Sequence, residues 1–127
     1  MPEDLIRDLY AAFGDRNEER LRTLLAPEVV WNQCEGFPGG ANRRGPQDVL
    51  DGILGKNSEL WNDFRAEIDE YLPSGNTVVV LGRYSGTHSK TGKSMRVAFE
   101  HVYRVRDGQV IRFDQITDTA PMVAAMN

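Results

Sequence analysis

Apolar residues near the start of the chain recur every three to four positions, at Leu5, Ile6, Leu9, Tyr10 and Phe13, which places them on one face of an α-helix. Gly14 ends this run. Asn17 followed by Glu18 and Glu19 supplies an N-cap with acids in the first turn, so a second short helix begins there. Leu21, Leu24 and Leu25 complete it, and Pro27 stops it. The stretch EVVWNQ, Glu28 to Gln33, is β-branched and aromatic and predicts a first strand. A glycine-rich loop, CEGFPGGANRRG, follows from Cys34, with the composition of either a movable lid or an ordinary surface loop. Pro46 then opens a third helix carrying Val49, Leu50, Ile53, Leu54 and Trp61, weakened in its middle by Gly52 and Gly55.

From Phe64 onward the period changes from helical to strand-like. FRAEIDEYL joins through PSGN to TVVVLGRYSGTH, and SKTGK leads into a final hairpin, FEHVYRVRDGQVIRFDQ. Ala120 to Met126 reads as a short closing helix. Helices first and a long meander afterwards predict an α+β domain, in which a curved, mostly antiparallel sheet wraps the helices and leaves a cavity at one end. The 127 residues are expected to form one domain.

The hairpin decides which residues face that cavity. A two-residue Asp107-Gly108 turn would set Val97, Phe99, Tyr103 and Val105 beside Arg112 and Asp114, mixing an apolar row with charges. A three-residue loop, with Gly108 in a left-handed bulge position, sets the same row beside Ile111, Phe113, Gln115 and Thr117. The second separates apolar from charged and is preferred. It points His101 inward, beside Phe113 and one residue pair from Gln115, with Glu100 outward. Two inward polar groups must bond each other, bond water or face a cavity, because burying either alone costs roughly 1–3 kcal/mol.

Composition narrows the field. Net charge is −4 and the basic residues are scattered, so no basic face suited to nucleic acid is present. A single Cys34 leaves no internal disulfide, no apolar run approaches the roughly 20 residues of a membrane span, and no leader-like segment opens the chain. A soluble, reduced, cytoplasmic protein is the expectation. Two histidines and one cysteine so far apart give no metal-ligand spacing, and no cofactor is implied. His88, at a hairpin end, is expected in solvent. SKTGK lacks the first glycine of a phosphate loop, and Glu67, Asp69 and Glu70 read as a solvated face.

The runs LYAAFGDRNEERLRTLLAPEVVW, RRGPQDVL and HVYRVRDGQVIRFDQITDT resemble, over essentially the whole chain, the SnoaL-like group of the nuclear transport factor two superfamily. That superfamily includes polyketide cyclases, ketosteroid isomerases and limonene epoxide hydrolases. The resemblance implies a cone-shaped α+β barrel, often dimeric through its convex sheet face, with an apolar pocket at its open end. Tyr10 matches the first-helix tyrosine of the isomerases, whereas Gln33 stands where their aspartate base would be and His101 near their late-strand acid. His101 also matches the histidine of SnoaL-type cyclases, but Gln115 takes the place of their final-strand aspartate. The Asp-Arg-Asp group of the epoxide hydrolases has no counterpart in the inward row.

Two readings of function stay open. In the first, the protein is an isomerase or cyclase: His101 shuttles a proton on a small apolar carbonyl compound, while Tyr10, Gln33 and Gln115 orient its oxygen. In the second, it is a non-catalytic binding module for a small hydrophobic ligand. The expected walls are Phe13, Trp31, Trp61, Val80, Tyr84, Phe99, Tyr103 and Phe113, each of which core packing would equally explain. Asp118 is either a carboxylate for the site or an N-cap for the closing helix. A third reading, an interaction domain, rests on the outer face of Arg96, Glu100, Val102, Arg104, Arg112 and Ile116, which suits a symmetric homodimer.

Overall fold

The computed structural model describes residues 1–127. Helix α1 spans Pro2–Gly14 and buries Ile6, Leu9 and Ala12, with Pro2 in its first turn beside Glu3 and Asp4. Helix α2, Glu18–Leu24, starts at Asn17, whose side chain accepts the Arg20 N–H as its pattern predicts. Strand β1 begins earlier than expected and covers Leu25–Asn32. The loop after it ends in a short strand not foreseen from the sequence, β2, Asn42–Arg44, which pairs antiparallel with β1.

The third helix is the main departure from the sequence pattern. It divides into α3, Pro46–Leu50, a π-helical segment, Asp51–Lys56, and a single turn α4, Asn57–Leu60. Trp61 is not its last inward residue. It adopts an extended conformation and opens strand β3, Trp61–Ser74. A helical stripe and a strand that begins on an aromatic residue look the same across one boundary. Here Trp61 is settled by pairing with His88 and by edge-on packing against that ring.

Strands β4, Thr77–His88, β5, Ser94–Arg106, and β6, Gln109–Thr117, complete the sheet before helix α5, Ala120–Ala125. The order is β2-β1-β6-β5-β4-β3, antiparallel except for the parallel pairing of β1 with β6. The sheet is curved and does not close. Register shifts in β3 between Asn62 and Arg65 and again between Ile68 and Glu70 give it two bulges, which sharpen the local twist. Gly82 of β4 lies where a Cβ would overlap the Glu67 carbonyl and the Phe99 ring, so only glycine lets the strands approach this closely at the bend. The concave side holds the core: α1 packs on β3 and β4, α2 on β1 and β6, and α5 on β5. None of the helices is long and apolar enough to cross a membrane.

The hairpin corrects the sequence reading. The turn has two residues, Asp107 and Gly108, both at positive φ (51° and 75°), the signature of a type I′ turn. Val105 pairs with Val110 and Arg104 with Arg112, so Ile111 is a bulge residue in β6. The bulge restores the apolar-in, charged-out arrangement that the two-residue turn alone would destroy. His101 therefore lies directly opposite Gln115 rather than Phe113, and Val110 rather than Ile111 is fully buried.

Candidate functional site

Alternation along β5 sends His101 inward between Phe99 and Tyr103, and β6 brings Gln115 and Phe113 beside them. Tyr84 arrives from β4 and Tyr10 from α1. The imidazole, 4 % exposed, meets a hydroxyl on each side: Tyr10 at Nδ1 and Tyr84 at Nε2. Tyr103 donates to the Tyr10 oxygen at 2.9 Å, and the Gln115 amide nitrogen donates to the Tyr84 oxygen at 2.9 Å. Gln115 is itself oriented by the Cys34 N–H, donated to its Oε1 at 3.0 Å. Six residues from four elements and a loop thus form one hydrogen-bonded chain. Phe99 stacks on the imidazole at 3.9 Å and closes its far face.

Burial pulls the His101 pKa down from the ordinary 6.5 to about 3, so the ring is neutral, with one N–H and one lone pair. Burial likewise pushes the Tyr10, Tyr84 and Tyr103 hydroxyls up, keeping them protonated. A neutral ring accepts from one tyrosine and donates to the other. When Tyr10 donates to Nδ1, the ring donates from Nε2 to Tyr84, whose oxygen also accepts from Gln115. The Tyr84 hydrogen is then the spare donor. In the other tautomer, Tyr84 donates to Nε2, the ring donates to Tyr10, and the spare hydrogen is that of Tyr10. One hydroxyl donor is always left over, and the tautomer decides which.

These groups stand at the polar end of a cavity of about 570 Å³. Phe13, Trp31, Phe37, Phe64, Tyr84, Tyr103 and Phe113 line it, with Ile53 and Leu54 from the π-helical segment and Asn57 from α4. Trp31, which lines the cavity, stacks on Phe113 at 3.9 Å. Tyr10, Gln33, His101 and Gln115 all line this cavity, as do Phe13, Trp31, Tyr84, Tyr103 and Phe113 among the expected walls. Trp61, Val80 and Phe99 do not: they are buried core side chains outside the lining. Asp114 faces outward against Arg112 and Asn32, and the Arg112 guanidinium holds its carboxyl below the usual range. Asp118 accepts the Ala120 N–H at 3.2 Å from the position before Thr119, which is the N-cap of the closing helix, and it does not line the cavity. The carboxylates that do, Asp63 and Glu67, belong to exposed positions of β3.

Three residues escaped the sequence reading. Arg43 of β2 is a buried clamp that donates to Gln33 Oε1 at 3.0 Å and to the Gly39 carbonyl at 2.9 Å, and pairs with Asp48 at 3.3 Å. Gln33 Oε1 also takes the Ala41 N–H, so its amide is fixed with Nε2 as the free end. The loop expected as a lid or a plain surface loop is pinned at Cys34, Gly39 and Ala41, and its Phe37 is buried. Asn57 is buried against the cavity. It lies four positions after Ile53 and three after Leu54, and that polar break in an apolar stripe was its sequence signal. His88, expected in solvent, is 4 % exposed, because the β4 alternation turns it inward against Trp61.

The model of the SnoaL-like domain family matches residues 6–113. An NTF2-like protein from Burkholderia thailandensis is 32% identical and superposes with a TM-score of 0.94, covering 99% of this chain and 97% of that one. IdmH from Streptomyces antibioticus, described as a polyketide cyclase candidate, is 26% identical with a TM-score of 0.82 over 99% and 98%. TerC, co-crystallised with polyporic acid, is 26% identical with a TM-score of 0.86 over 98% and 97%. No curated protein matches significantly.

Proposed function

Because the chain belongs to the SnoaL-like domain family, we propose that its cavity takes a small apolar carbonyl compound and isomerises or cyclises it by proton transfer through Tyr10, His101 and Tyr84. The observation that carries this reading is the neutral imidazole held between two hydroxyls at the polar end of an aromatic cavity. Tyr84 gives its spare hydrogen to the carbonyl oxygen and is resupplied from Nε2. Nδ1 takes the Tyr10 hydrogen, and Tyr10 takes one from the carbon beside the carbonyl. The array ends neutral, with the His101 hydrogen moved from one nitrogen to the other and the substrate converted to its enol. No charged imidazolium forms, which suits a ring whose burial opposes protonation.

A second reading, a non-catalytic binding module, is favoured by Gln33 and Gln115 standing where the related enzymes carry aspartates, since neither amide can accept and return a proton. The two separate on one experiment. The purified protein is screened by native mass spectrometry against small ketones, polyketide-like aromatics, terpenes and fatty acids, and each bound compound is followed by absorbance. Turnover that falls about 10²–10⁴-fold in Tyr84→Phe and His101→Gln while binding persists supports proton transfer. A compound bound by the wild type and recovered unchanged supports the binding module. We further propose a homodimer through the outer face of β5 and β6, where Glu100 pairs with Ile116, Val102 with Asp114 and Arg104 with Arg112, and Ile116 is 57 % exposed.

A further inference from the structure

Six polar side chains are buried in this protein: Gln33, Arg43, Asn57, His88, His101 and Gln115. Five are held by hydrogen bonds from their side chains to the rest of the chain. Asn57 has none, although it is 6 % exposed and lines the cavity. Its amide is not sealed in the core: the buried side-chain nitrogens and oxygens without a partner are Trp31 Nε1, Trp61 Nε1 and Arg83 Nε, so Oδ1 and Nδ2 of Asn57 open onto the cavity, where a ligand can bond them. Its position is held firmly from outside. Arg16, in the turn after α1, donates to the Leu54 carbonyl at 2.8 Å and to the Ser58 hydroxyl at 2.9 Å, fastening the chain before and after Asn57. The amide is therefore presented to the cavity on a braced helical wall, whereas the Tyr10, His101 and Tyr84 group sits mainly on the sheet.

We propose that Asn57 is a specificity-determining residue that binds a second polar group of the ligand, distant from the carbonyl taken by the tyrosine hydroxyls. This rests on the carbonyl-ligand reading above and narrows it. The ligand class is a flat aromatic ketone or quinone bearing a further hydroxyl or carbonyl oxygen, because a primary amide both donates and accepts and eight Phe, Tyr and Trp side chains line the cavity it shares. Gln33 cannot fill the same role in both senses, since its oxygen is already committed to Ala41 and Arg43. It contributes donors only.

The test compares two probes on one skeleton, 1-tetralone and 6-hydroxy-1-tetralone, by calorimetric titration against the wild type, Asn57→Leu and Asn57→Gln. Leucine keeps the branching and heavy-atom count of asparagine, so Asn57→Leu is expected to fold, and its melting is measured beside that of the wild type. The expected result is wild-type preference for the hydroxylated ketone by about tenfold or more, lost in Asn57→Leu through weaker binding of that probe alone, and partly kept in Asn57→Gln. Equal wild-type affinity for the two probes, or a preference that survives in Asn57→Leu, would overturn the role of Asn57 and leave the carbonyl reading standing. Binding of neither ketone by a folded wild type would overturn the carbonyl reading, and this inference with it.

Discussion

His101 is held neutral between two hydroxyls, and that arrangement makes folding compete with protonation. Its pKa is about 3 in the native state and near 6.5 in an unfolded chain. Between those values the unfolded chain binds a proton that the native protein does not, so stability falls as pH drops from about 6.5 toward 3 and is unaffected by this group above that window. Full linkage gives about 1.4 kcal/mol per pH unit. Urea unfolding at pH 6.5 and pH 5 is expected to show the wild type losing up to about 2 kcal/mol more than His101→Gln. Parallel losses in the two proteins would mean that the ring is reached by solvent protons in the folded state. The inward direction of His101 and Gln115 was legible from alternation alone. What holds them was not, because the partners Tyr10 and His101 stand 91 positions apart.

Among the elements, the split third helix departs furthest from its sequence pattern. Gly52 lies in the π-helical segment with the Arg43 side chain so close that a Cβ there would overlap the guanidinium. A flexible arginine could usually move aside, but this one is tied to Gln33, Gly39 and Asp48 at once. Gly52→Ala should therefore destabilise by about 1–3 kcal/mol despite the better helix propensity of alanine. The penalty should shrink in an Arg43→Ala background, since the two changes act on one contact. A double-mutant cycle by urea denaturation measures this, and strictly additive losses would show that the clamp is not what requires glycine. The same logic of local insertion governs the last hairpin. The Asp107-Gly108 turn is written in the sequence, but the bulge at Ile111 that rotates the rest of β6 has no turn residue to announce it. The three-residue loop inferred from face separation reached the right faces by the wrong device.

At the scale of the whole molecule, the curved sheet gives the chain two unlike surfaces. The concave one is closed by helices and holds the cavity, and the convex one carries charges interrupted by Ile116 and Val102. A symmetric dimer through that convex face would bury Ile116 near its centre. Light scattering at micromolar concentration is expected to report twice the chain mass for the wild type and the chain mass for Ile116→Asp. A monomeric wild type would remove the homodimer.

Legible from the residues alone were helices before strands, the inward and outward faces of β5, the Asn17 cap and the family resemblance. All of these depend on spacings of a few residues, which periodicity and capping chemistry express directly. Only the folded chain settles which inward polar groups are satisfied, that Trp61 leaves the expected cavity wall and His88 the solvent for the core, that Arg43 locks Gln33, and that Asn57 faces the cavity with no hydrogen bond from its side chain. Those outcomes depend on which distant side chains the curvature of the sheet brings within hydrogen-bonding reach. Register shifts and bulges, with the close approach that Gly82 permits, set that curvature.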